Sequence, residues 1–380
     1  MRALFFFWML GSVQVLAQSI AGSNLSYLYD PSNDIEFATR LITSGDSSTV
    51  YFQLKSMGGQ PVQDFQISWD RRESYGQRKG ELINLVPIVL RSDTSGLVGR
   101  LGFRKEEKPW LLVANITNTK TAKQQLFFRQ IEANYPVDGW AKASTGIVFK
   151  KHLPTGTPIA IPSGGYAFRY PQAFSAASPP FTEKEKKADP LLVADSIFRL
   201  SKETIFKTPG LYLVQRDTNS AQGFSFLVTD PVYPKFNQLQ ELVDPLIFIC
   251  TREEFDKLRA SGNDKVKFDK VILEITEDKE RAKNFMRNYF RRVELANRYF
   301  TSYKEGWKTD RGMIYLIFGA PTNVSVTGDS EVWTYRNYQA RFTFVKSGSI
   351  YDPEYFVLVR EKRFAETWYN TIDLWRKGRL

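Results

Sequence analysis

The segment Tyr303-Lys304-Glu305-Gly306-Trp307-Lys308-Thr309-Asp310-Arg311-Gly312 separates the longest helical pattern of this chain from its last group of strand patterns. We predict that Gly306 takes the left-handed conformation that ends the preceding helix. Trp307 then folds back onto a helix or sheet, where its large ring buries much apolar area. Thr309 and Asp310 have side chains that accept hydrogen bonds from backbone N–H groups in a turn. The segment therefore predicts a tight reversal of the chain around one buried tryptophan.

An apolar run, Met313 to Phe318, follows the reversal that Arg311 and Gly312 complete. We predict that this run is a strand, which Gly319-Ala320-Pro321 ends. Farther along, Trp333 lies in an alternating stretch that pairs as a hairpin with residues 340–344. These patterns predict a layer of strands directly after the reversal.

Two helical patterns flank this layer of strands. From Asp278 to Tyr303, apolar side chains recur every three or four residues, which predicts the longest helix of the chain. Residues 364–375 repeat that spacing near the C-terminus. Thr251 and Glu254 fit a capping box that begins a shorter helix. We therefore predict an α+β domain over residues 245–380.

The sequence ahead of this domain consists of short alternating runs that Gly, Pro and polar residues separate. Strands at this spacing predict antiparallel β-sandwiches, one over residues 24–135 and another over residues 136–230. In the second, Tyr212 follows a Pro-Gly turn, an arrangement similar to the late strand of immunoglobulin-like sandwiches, where a tyrosine bonds back to the turn. The predicted fold class is mixed, with two antiparallel, immunoglobulin-like β-sandwich modules followed by one α+β domain.

The C-terminal motifs resemble those of a known family. The matching string contains nine residues that we treat as the motif: Gly306, Trp307, Thr309, Asp310, Arg311, Gly312, Gly319, Pro321 and Trp333. This string is similar to the GWxTD domain, and the resemblance covers about Thr251 to the C-terminus. The resemblance implies an exported protein of a Gram-negative bacterium, with β-rich regions ahead of the signature domain and a largely undefined molecular function.

The N-terminus has the pattern of a secretory signal peptide. Arg2 precedes an apolar stretch, and Val15 and Ala17 are small enough for the signal peptidase site. The apolar stretch is shorter than the roughly 20 residues that span a bilayer. No Cys follows Ala17 directly, so we expect no lipoprotein anchor. We predict that residues 1–17 are removed, and that the mature chain, without a transmembrane segment, is periplasmic or associated with the outer membrane.

Composition limits the chemistry of this chain. Its 380 residues contain one Cys and one His, which excludes an intramolecular disulfide framework and a Cys-based zinc cluster. We expect no cofactor and no metal. His152 has no evident Ser or Asp partners for triad chemistry. Cys250 lies in an apolar run and is predicted to be a small buried hydrophobe.

The chain is basic, with a formal net charge of +11. Such a charge favours acidic partners, and export makes nucleic acid the least expected of them. Lys283, Arg287 and Arg291 lie on the longest predicted helix and are our candidates for partner binding. This surface would dock an acidic envelope protein or an anionic polymer, with an affinity that salt weakens.

Two carboxylates keep an enzymatic interpretation open. Asp310 and Glu331, about 5–10 Å apart, would suit hydrolysis of carbohydrate or peptidoglycan by an acid and a base. In the structural interpretation, Asp310 satisfies a turn and Glu331 pairs with Arg311 or another base. We favour the structural interpretation and predict a non-catalytic envelope protein that mediates protein–protein interaction or scaffolding through its C-terminal domain. A module that binds anionic glycan or envelope polymer is the remaining alternative.

Overall fold

The computed structural model describes residues 18–132, 142–143, 146–161, 164–171, 173–182, 192–220 and 222–380. The predicted signal peptide, residues 1–17, and the predicted boundary at residues 135 and 136 lie outside the described residues. Within the described part, two units of packed, mostly antiparallel sheets precede a C-terminal unit of helices and a sheet. This order confirms the predicted fold class.

The first sandwich has two antiparallel four-stranded sheets. Its strands are β1 (Ile35–Ser44), β2 (Ser47–Ser56), β3 (Phe65–Arg72), β4 (Glu81–Leu82), β5 (Ile88–Ser92), β6 (Gly96–Arg104), β7 (Trp110–Asn118) and β8 (Gln124–Ile131). One sheet has the order β1-β2-β6-β5 and the other the order β4-β3-β7-β8. In β2, Val50, Phe52 and Leu54 are buried, whereas the residues between them are partly exposed. This alternation places one face of β2 in the core between the sheets.

The second sandwich is built from shorter strands. They are β9 (Lys142–Ala143), β10 (Gly146–Ile147), β11 (His152–Pro154), β12 (Pro158–Ala160), β13 (Tyr166–Tyr170), β14 (Ser196–Arg199), β15 (Thr204–Ile205), β16 (Gly210–Gln215) and β17 (Phe224–Thr229). Their sheets have the orders β10-β9-β12-β15 and β11-β17-β16-β13-β14, with β11 parallel to β17. The Tyr212 hydroxyl donates a hydrogen bond to the Thr208 carbonyl oxygen (2.9 Å), as predicted for the turn before β16. The immunoglobulin-like topology itself stays a prediction.

In the described residues, the C-terminal unit consists of five α-helices, one antiparallel sheet and a final α-helix. Its elements are α1 (Leu239–Val243), α2 (Arg252–Ser261), α3 (Lys265–Thr276), α4 (Lys279–Phe300), α5 (Asp310–Phe318), β18 (Asn323–Thr327), β19 (Ser330–Tyr335), β20 (Ala340–Lys346), β21 (Phe356–Leu358) and α6 (Phe364–Arg376). The sheet has the order β18-β19-β20-β21. The predicted capping box of Thr251 and Glu254 begins α2. The predicted long helix, hairpin and terminal helix are confirmed as α4, β19–β20 and α6.

The predicted strand over Met313 to Phe318 is wrong, because these residues lie in helix α5. All six side chains are buried, since α5 lies at the centre of the C-terminal unit. A helix that is surrounded on all sides shows no polar face, so its sequence has the continuous apolar character of a buried strand. The residue that precedes it, Thr309, caps the helix and was available as a signal for its start.

The three units pack closely against one another. On the first sandwich, Leu111 and Val113 of β7 belong to the same buried cluster as the helices of the C-terminal unit. On the second, Leu211 and Leu213 of β16 share a buried cluster with Tyr303 of the C-terminal unit. In each sandwich, one sheet therefore packs on both of its faces. One face lies in the core of the sandwich, and the other packs against the C-terminal unit.

The start of the described chain lies on the C-terminal unit. Ile20 and Leu25 are fully buried in its core, and the Leu25 N–H donates to the Val324 carbonyl oxygen on β18 (2.8 Å). The Tyr315 hydroxyl of α5 donates to the Tyr29 carbonyl oxygen (3.0 Å). These contacts join residues nearly 300 positions apart in the sequence. None of the helices in the described part of the chain is both long and apolar enough to cross a bilayer.

Candidate functional site

The motif begins with two glycines in contact. A Cβ on Gly306 would lie 2.1 Å from the Ala296 carbonyl oxygen of α4, and a Cβ on Gly312 would lie 1.8 Å from the Gly306 carbonyl oxygen. Both distances are far below any real Cβ contact, so only glycine allows the turn to lie between α4 and α5. The prediction that Gly306 ends the long helix in a left-handed conformation is wrong. Helix α4 ends earlier, at Phe300, and Gly306 opens the 3₁₀ turn Gly306–Lys308 without a positive φ.

Thr309 fixes the start of α5. Its hydroxyl oxygen accepts a hydrogen bond from the Gly312 N–H (3.0 Å) and donates one to the Gly306 carbonyl oxygen (2.7 Å). The first bond satisfies a backbone donor at the helix N-terminus that has no partner within the helix. One hydroxyl thus holds both glycine positions of the motif in place.

Trp307 is buried between helices, as predicted. Its ring lies edge-on to Phe248, with 6.1 Å between ring centroids. Its backbone N–H donates to the Oδ1 atom of Asn297 (3.1 Å), a fully buried residue of α4. The Nδ2 atom of Asn297 donates to the Pro234 carbonyl oxygen (3.2 Å). Asn297 therefore ties the turn to both α4 and the segment that enters the C-terminal unit.

Asp310 is buried and engaged on both carboxylate oxygens. One oxygen accepts from the Leu358 N–H of β21 (2.8 Å), and the Arg360 guanidinium donates to both oxygens, at 2.5 and 3.3 Å. Arg360 also donates to the Ser178 carbonyl oxygen (3.1 Å), in a segment from the second sandwich. The Asp310 and Arg360 side chains are only 5% and 2% exposed. Asp310 therefore serves partners beyond its own turn, which the sequence interpretation did not anticipate.

Glu331 is the centre of a second buried network. Its Oε1 atom accepts hydrogen bonds from the Tyr29 hydroxyl (2.7 Å) and from the indole N–H of Trp333 (2.6 Å). Its Oε2 atom accepts from the Arg311 guanidinium (3.2 Å), as the structural interpretation predicted. Burial, and then the negative charge of Glu331, raise the pKa of Tyr29 well above its ordinary value. Tyr29 therefore stays a neutral donor to the carboxylate.

Gly319 and Pro321 of the motif lie at the C-terminal end of α5. Gly319 has a φ of +82°, a backbone conformation that side chains rarely adopt, and its carbonyl oxygen accepts from the Tyr335 hydroxyl (2.8 Å). The Ile317 carbonyl oxygen accepts from both Arg292 and the Trp375 indole N–H, each at 3.1 Å. Pro321 is buried directly after this cap. Helices α4 and α6 thus meet at the C-terminus of α5.

Taken together, the motif side chains form the contacts that fasten α5 to its surroundings. The family model for the GWxTD domain matches residues 210–377. The chain contains a GWxTD domain. The match begins within β16, well ahead of Thr251, where the sequence resemblance begins. The matched region therefore includes the β16–β17 hairpin of the second sandwich as well as most of the C-terminal unit, and the name GWxTD domain is used below for the C-terminal unit.

Two other comparisons accompany this match. A search of the curated proteins finds no match. A search of the solved structures finds a similarity to HBP35 of Porphyromonas gingivalis, with 11% sequence identity and a TM-score of 0.19. It covers 55% of this chain and 65% of that chain, so this chain spans less than two thirds of the length of HBP35 in that structure.

Two partners of the GWxTD motif were missed from the sequence. Arg360 gave a weak signal, as a charged residue two positions after strand β21. Tyr29 gave none, because it lies 302 positions from Glu331 in the sequence and meets it only in the folded chain. Sequence spacing within the GWxTD domain reports local turns and helices, but not which distant side chain supplies a buried hydrogen bond.

The predicted partner-binding residues lie on the surface of the GWxTD domain. Lys283, Arg287 and Arg291 are all exposed on α4. Arg287 donates to the Asn284 side chain (2.8 Å), and Arg291 lies 3.7 Å from a Glu294 carboxylate oxygen. These contacts are local to the helix, so the outer face of α4 is available to a partner.

Of the other candidate side chains, His152 is buried and Cys250 is half-buried against the apolar core. Burial, and then the positive charge of Lys150, lower the pKa of His152 to about 4, and its ring lies edge-on to Tyr233. Burial, and then the Glu254 carboxylate, raise the pKa of Cys250 to about 12. In the described ranges, no group of three or more His, Cys, Asp or Glu side chains is placed to hold a metal ion.

A cavity of about 200 Å³ lies where the two sandwiches meet the GWxTD domain. Side chains of all three units line it, among them Lys55, Lys150, Arg298, Arg311 and Asp352. The Asp352 carboxylate accepts from Lys151 of the second sandwich (2.5 Å) and from the Ser302 hydroxyl. This ion pair, in which Asp352 is buried and Lys151 is half-buried, joins the second sandwich to the GWxTD domain beside the motif.

Proposed function

We propose that this protein is an exported, non-catalytic component of the cell envelope whose GWxTD domain mediates contact with another envelope protein. The observation that carries the proposal is the position of the two motif carboxylates. Asp310 and Glu331 are both buried, and hydrogen bonds from other parts of the fold occupy both oxygens of each. A carboxylate acid or base must reach the reacting atoms of a substrate. This geometry therefore supports a structural role for both residues.

The polar contacts between the units support a scaffolding role for the protein. Tyr29 connects the GWxTD domain to the segment before the first sandwich, and Arg360 and Asp352 connect it to the second sandwich, through buried or half-buried polar contacts. Buried charges of this kind are costly to separate. The surfaces of the three units are therefore presented to a partner in one fixed arrangement.

The exposed cations of α4 are the proposed contact surface. Within the described part of the chain, Arg287 and Arg291 contact neighbouring residues of α4 and Lys283 forms no ion pair, so an acidic partner surface gains their attraction without first breaking strong ion pairs. Such charges mainly raise the association rate and make binding sensitive to salt. An envelope protein with an acidic patch is the partner that this face fits.

Site-specific photo-crosslinking in intact cells tests the proposal. A photoreactive amino acid is placed at Arg287 of the full chain, and a matched control carries it at Lys105, an exposed lysine of the first sandwich. We expect one discrete adduct with an envelope protein from position 287 and not from position 105. Charge reversal at Lys283 and Arg291 should weaken that adduct. The same set of adducts from both positions, or none from position 287, contradicts the proposal.

The hydrolase alternative has its own test. Purified protein is incubated with isolated peptidoglycan, and the release of soluble fragments is followed. We expect no release above that of a heat-denatured sample. A release that Glu331→Gln abolishes while the circular dichroism spectrum and the melting temperature stay unchanged would replace the proposal with a catalytic function.

A further inference from the structure

A large groove separates the two sandwiches. It has a volume of about 1120 Å³ and lies between the outer face of the β1-β2-β6-β5 sheet and the short strands of the second sandwich. Its volume exceeds the roughly 300–1,000 Å³ that is typical of small-molecule sites. We call it the inter-sandwich groove and define it by six lining residues: Lys55, Val98, Arg100, Lys142, Phe149 and Lys150.

The inter-sandwich groove continues into the cavity beside the motif. Both are lined by Lys55, Phe149, Lys150 and His152. The groove therefore runs from the open edge between the sandwiches to the junction with the GWxTD domain. A ligand that follows it must be elongated rather than compact.

The charge along the groove is predominantly positive. Among the described residues that line it, five are Lys or Arg, and Asp93 is the single acidic one and pairs with Arg91 (2.9 Å). Lys55 and Lys150 form no ion pair within the described part of the chain. Burial, and then the charge of Lys55, lower the pKa of Lys150, whereas the Glu36 carboxylate, which pairs with Arg298, raises it in part. The two ammonium groups therefore repel each other. A negative group between them would remove that repulsion.

Apolar side chains lie between the cations. Val98 and Phe149 line the groove together with Leu90, which is 48% exposed. Leu90 belongs to β5, the last strand of its sheet, and β5 has no strand partner on its outer side in the described ranges. A free strand edge offers backbone N–H and C=O groups to an added extended chain.

We propose that the inter-sandwich groove binds an extended acidic peptide segment of a partner protein. This inference names the chemistry of a partner and rests on the proposed function. Alternating acidic and apolar side chains would match the cations and the apolar wall, and the β5 edge would bind the peptide backbone. A glycan fits this lining less well, because sugars need many hydrogen-bonding side chains, whereas much of this wall is apolar.

Selection from a displayed library of random dodecapeptides tests this proposal on the predicted mature chain, residue 18 onward. The groove variant is Lys55→Glu/Lys150→Glu, and the matched control is Lys283→Glu/Arg287→Glu on α4. We expect wild type and control to enrich peptides that combine acidic and apolar residues. The affinity of the most enriched peptide, measured by fluorescence anisotropy, should fall about tenfold or more in the groove variant and less than about twofold in the control.

Three results would overturn the proposal. The first is that no acidic peptides are enriched, and the second is that the groove variant binds as tightly as wild type. The third is that heparin oligosaccharides bind in a groove-dependent manner while no peptide is enriched, which would make the groove a site for anionic glycan. If the melting temperature shows that the groove variant is unfolded, Arg100→Gln/Lys142→Gln replaces it. The groove variant leaves the α4 cations intact, and the control removes two of them. A failure of peptide binding to the groove can therefore be distinguished from a failure of the α4 contact in the crosslinking experiment.

Discussion

The GWxTD turn and the inter-sandwich groove use charge in opposite ways. At the turn, Asp310 faces Arg360 and Glu331 faces Arg311, and all four side chains are largely or fully shielded from water. In the groove, Lys55 and Lys150 lie near each other and form no ion pair among the described residues, and the nearby Glu36 carboxylate pairs with Arg298 instead. A buried charge needs a partner, whereas a charge in contact with water does not. The ion pairs of the turn therefore stabilise the fold, and the cations of the groove are accessible to a ligand.

The largest expected effect tests the buried half of this comparison. Asp310→Asn removes one charge of the Asp310–Arg360 pair and leaves the guanidinium buried without its counter-ion. We expect the free energy of unfolding to fall by about 3–5 kcal/mol. Urea denaturation, followed by circular dichroism, measures it. The matched control is Glu274→Gln, which breaks the exposed Lys257–Glu274 pair and should change stability by less than about 1 kcal/mol. Equal effects of the two substitutions would show that the buried Asp310–Arg360 pair contributes no more to stability than an exposed ion pair.

A second prediction concerns the packing of the turn. Gly312→Ala places a methyl group 1.8 Å from the Gly306 carbonyl oxygen, so α5 must shift. We expect a loss of about 2–3 kcal/mol in the same denaturation experiment. Gly102→Ala is the control, because a Cβ at Gly102 meets nothing within 4 Å. If both variants unfold at the same urea concentration, the close contact between the glycines is not needed.

A third prediction uses His152, which lines both the cavity and the groove. Its folded pKa of about 4 lies below the ordinary value of 6.5, so between these pH values the unfolded chain binds a proton that the folded chain does not. Stability contributed by neutral His152 is complete above about pH 6.5 and is lost as the pH falls toward 4. We expect this residue to account for roughly 2 kcal/mol of destabilisation at pH 4.5.

Comparison with His152→Asn isolates that contribution. Unfolding free energies of wild type and variant are measured from pH 7.5 to 4.5, and wild type should lose roughly 2 kcal/mol more than the variant as the pH falls. The acid sensitivity of the carboxylate pairs is present in both proteins and cancels. A difference that is constant with pH would mean that His152 does not stay neutral in the folded protein.

The smallest expected effect tests the groove. Lys55→Gln/Lys150→Gln removes two cations that repel each other, so stability should rise slightly, by about 0.5 kcal/mol or less at low salt. The control, Lys202→Gln/Lys207→Gln, makes the same change of charge at exposed positions of the second sandwich. Melting temperatures at 20 and 500 mM NaCl separate the two, because salt should remove the gain of the groove variant. A marked loss of stability would make these lysines part of the framework instead.

The predictions made from sequence succeeded where the signal is local. The 3.6-residue spacing defined α4 and α6, and the alternation of β2 and the turn before Tyr212 indicated sandwiches. Within the candidate site, the pairing of Glu331 with Arg311 was also anticipated. The error at Met313 to Phe318 came from reading Thr309 and Asp310 as turn residues, although Thr before a continuous apolar run is equally typical of a helix start.

The sequence alone determined the class of each unit and the GWxTD motif, because periodicity, capping residues and glycine positions act over a few residues. Only the tertiary structure decided that α5 is a central helix, that Tyr29 and Arg360 complete the buried networks of Glu331 and Asp310, and that Lys55 and Lys150 face one groove. These features depend on contacts between residues up to about 300 positions apart. The physical reason is that burial and charge pairing follow from how the units pack, and no local pattern of side chains specifies that packing.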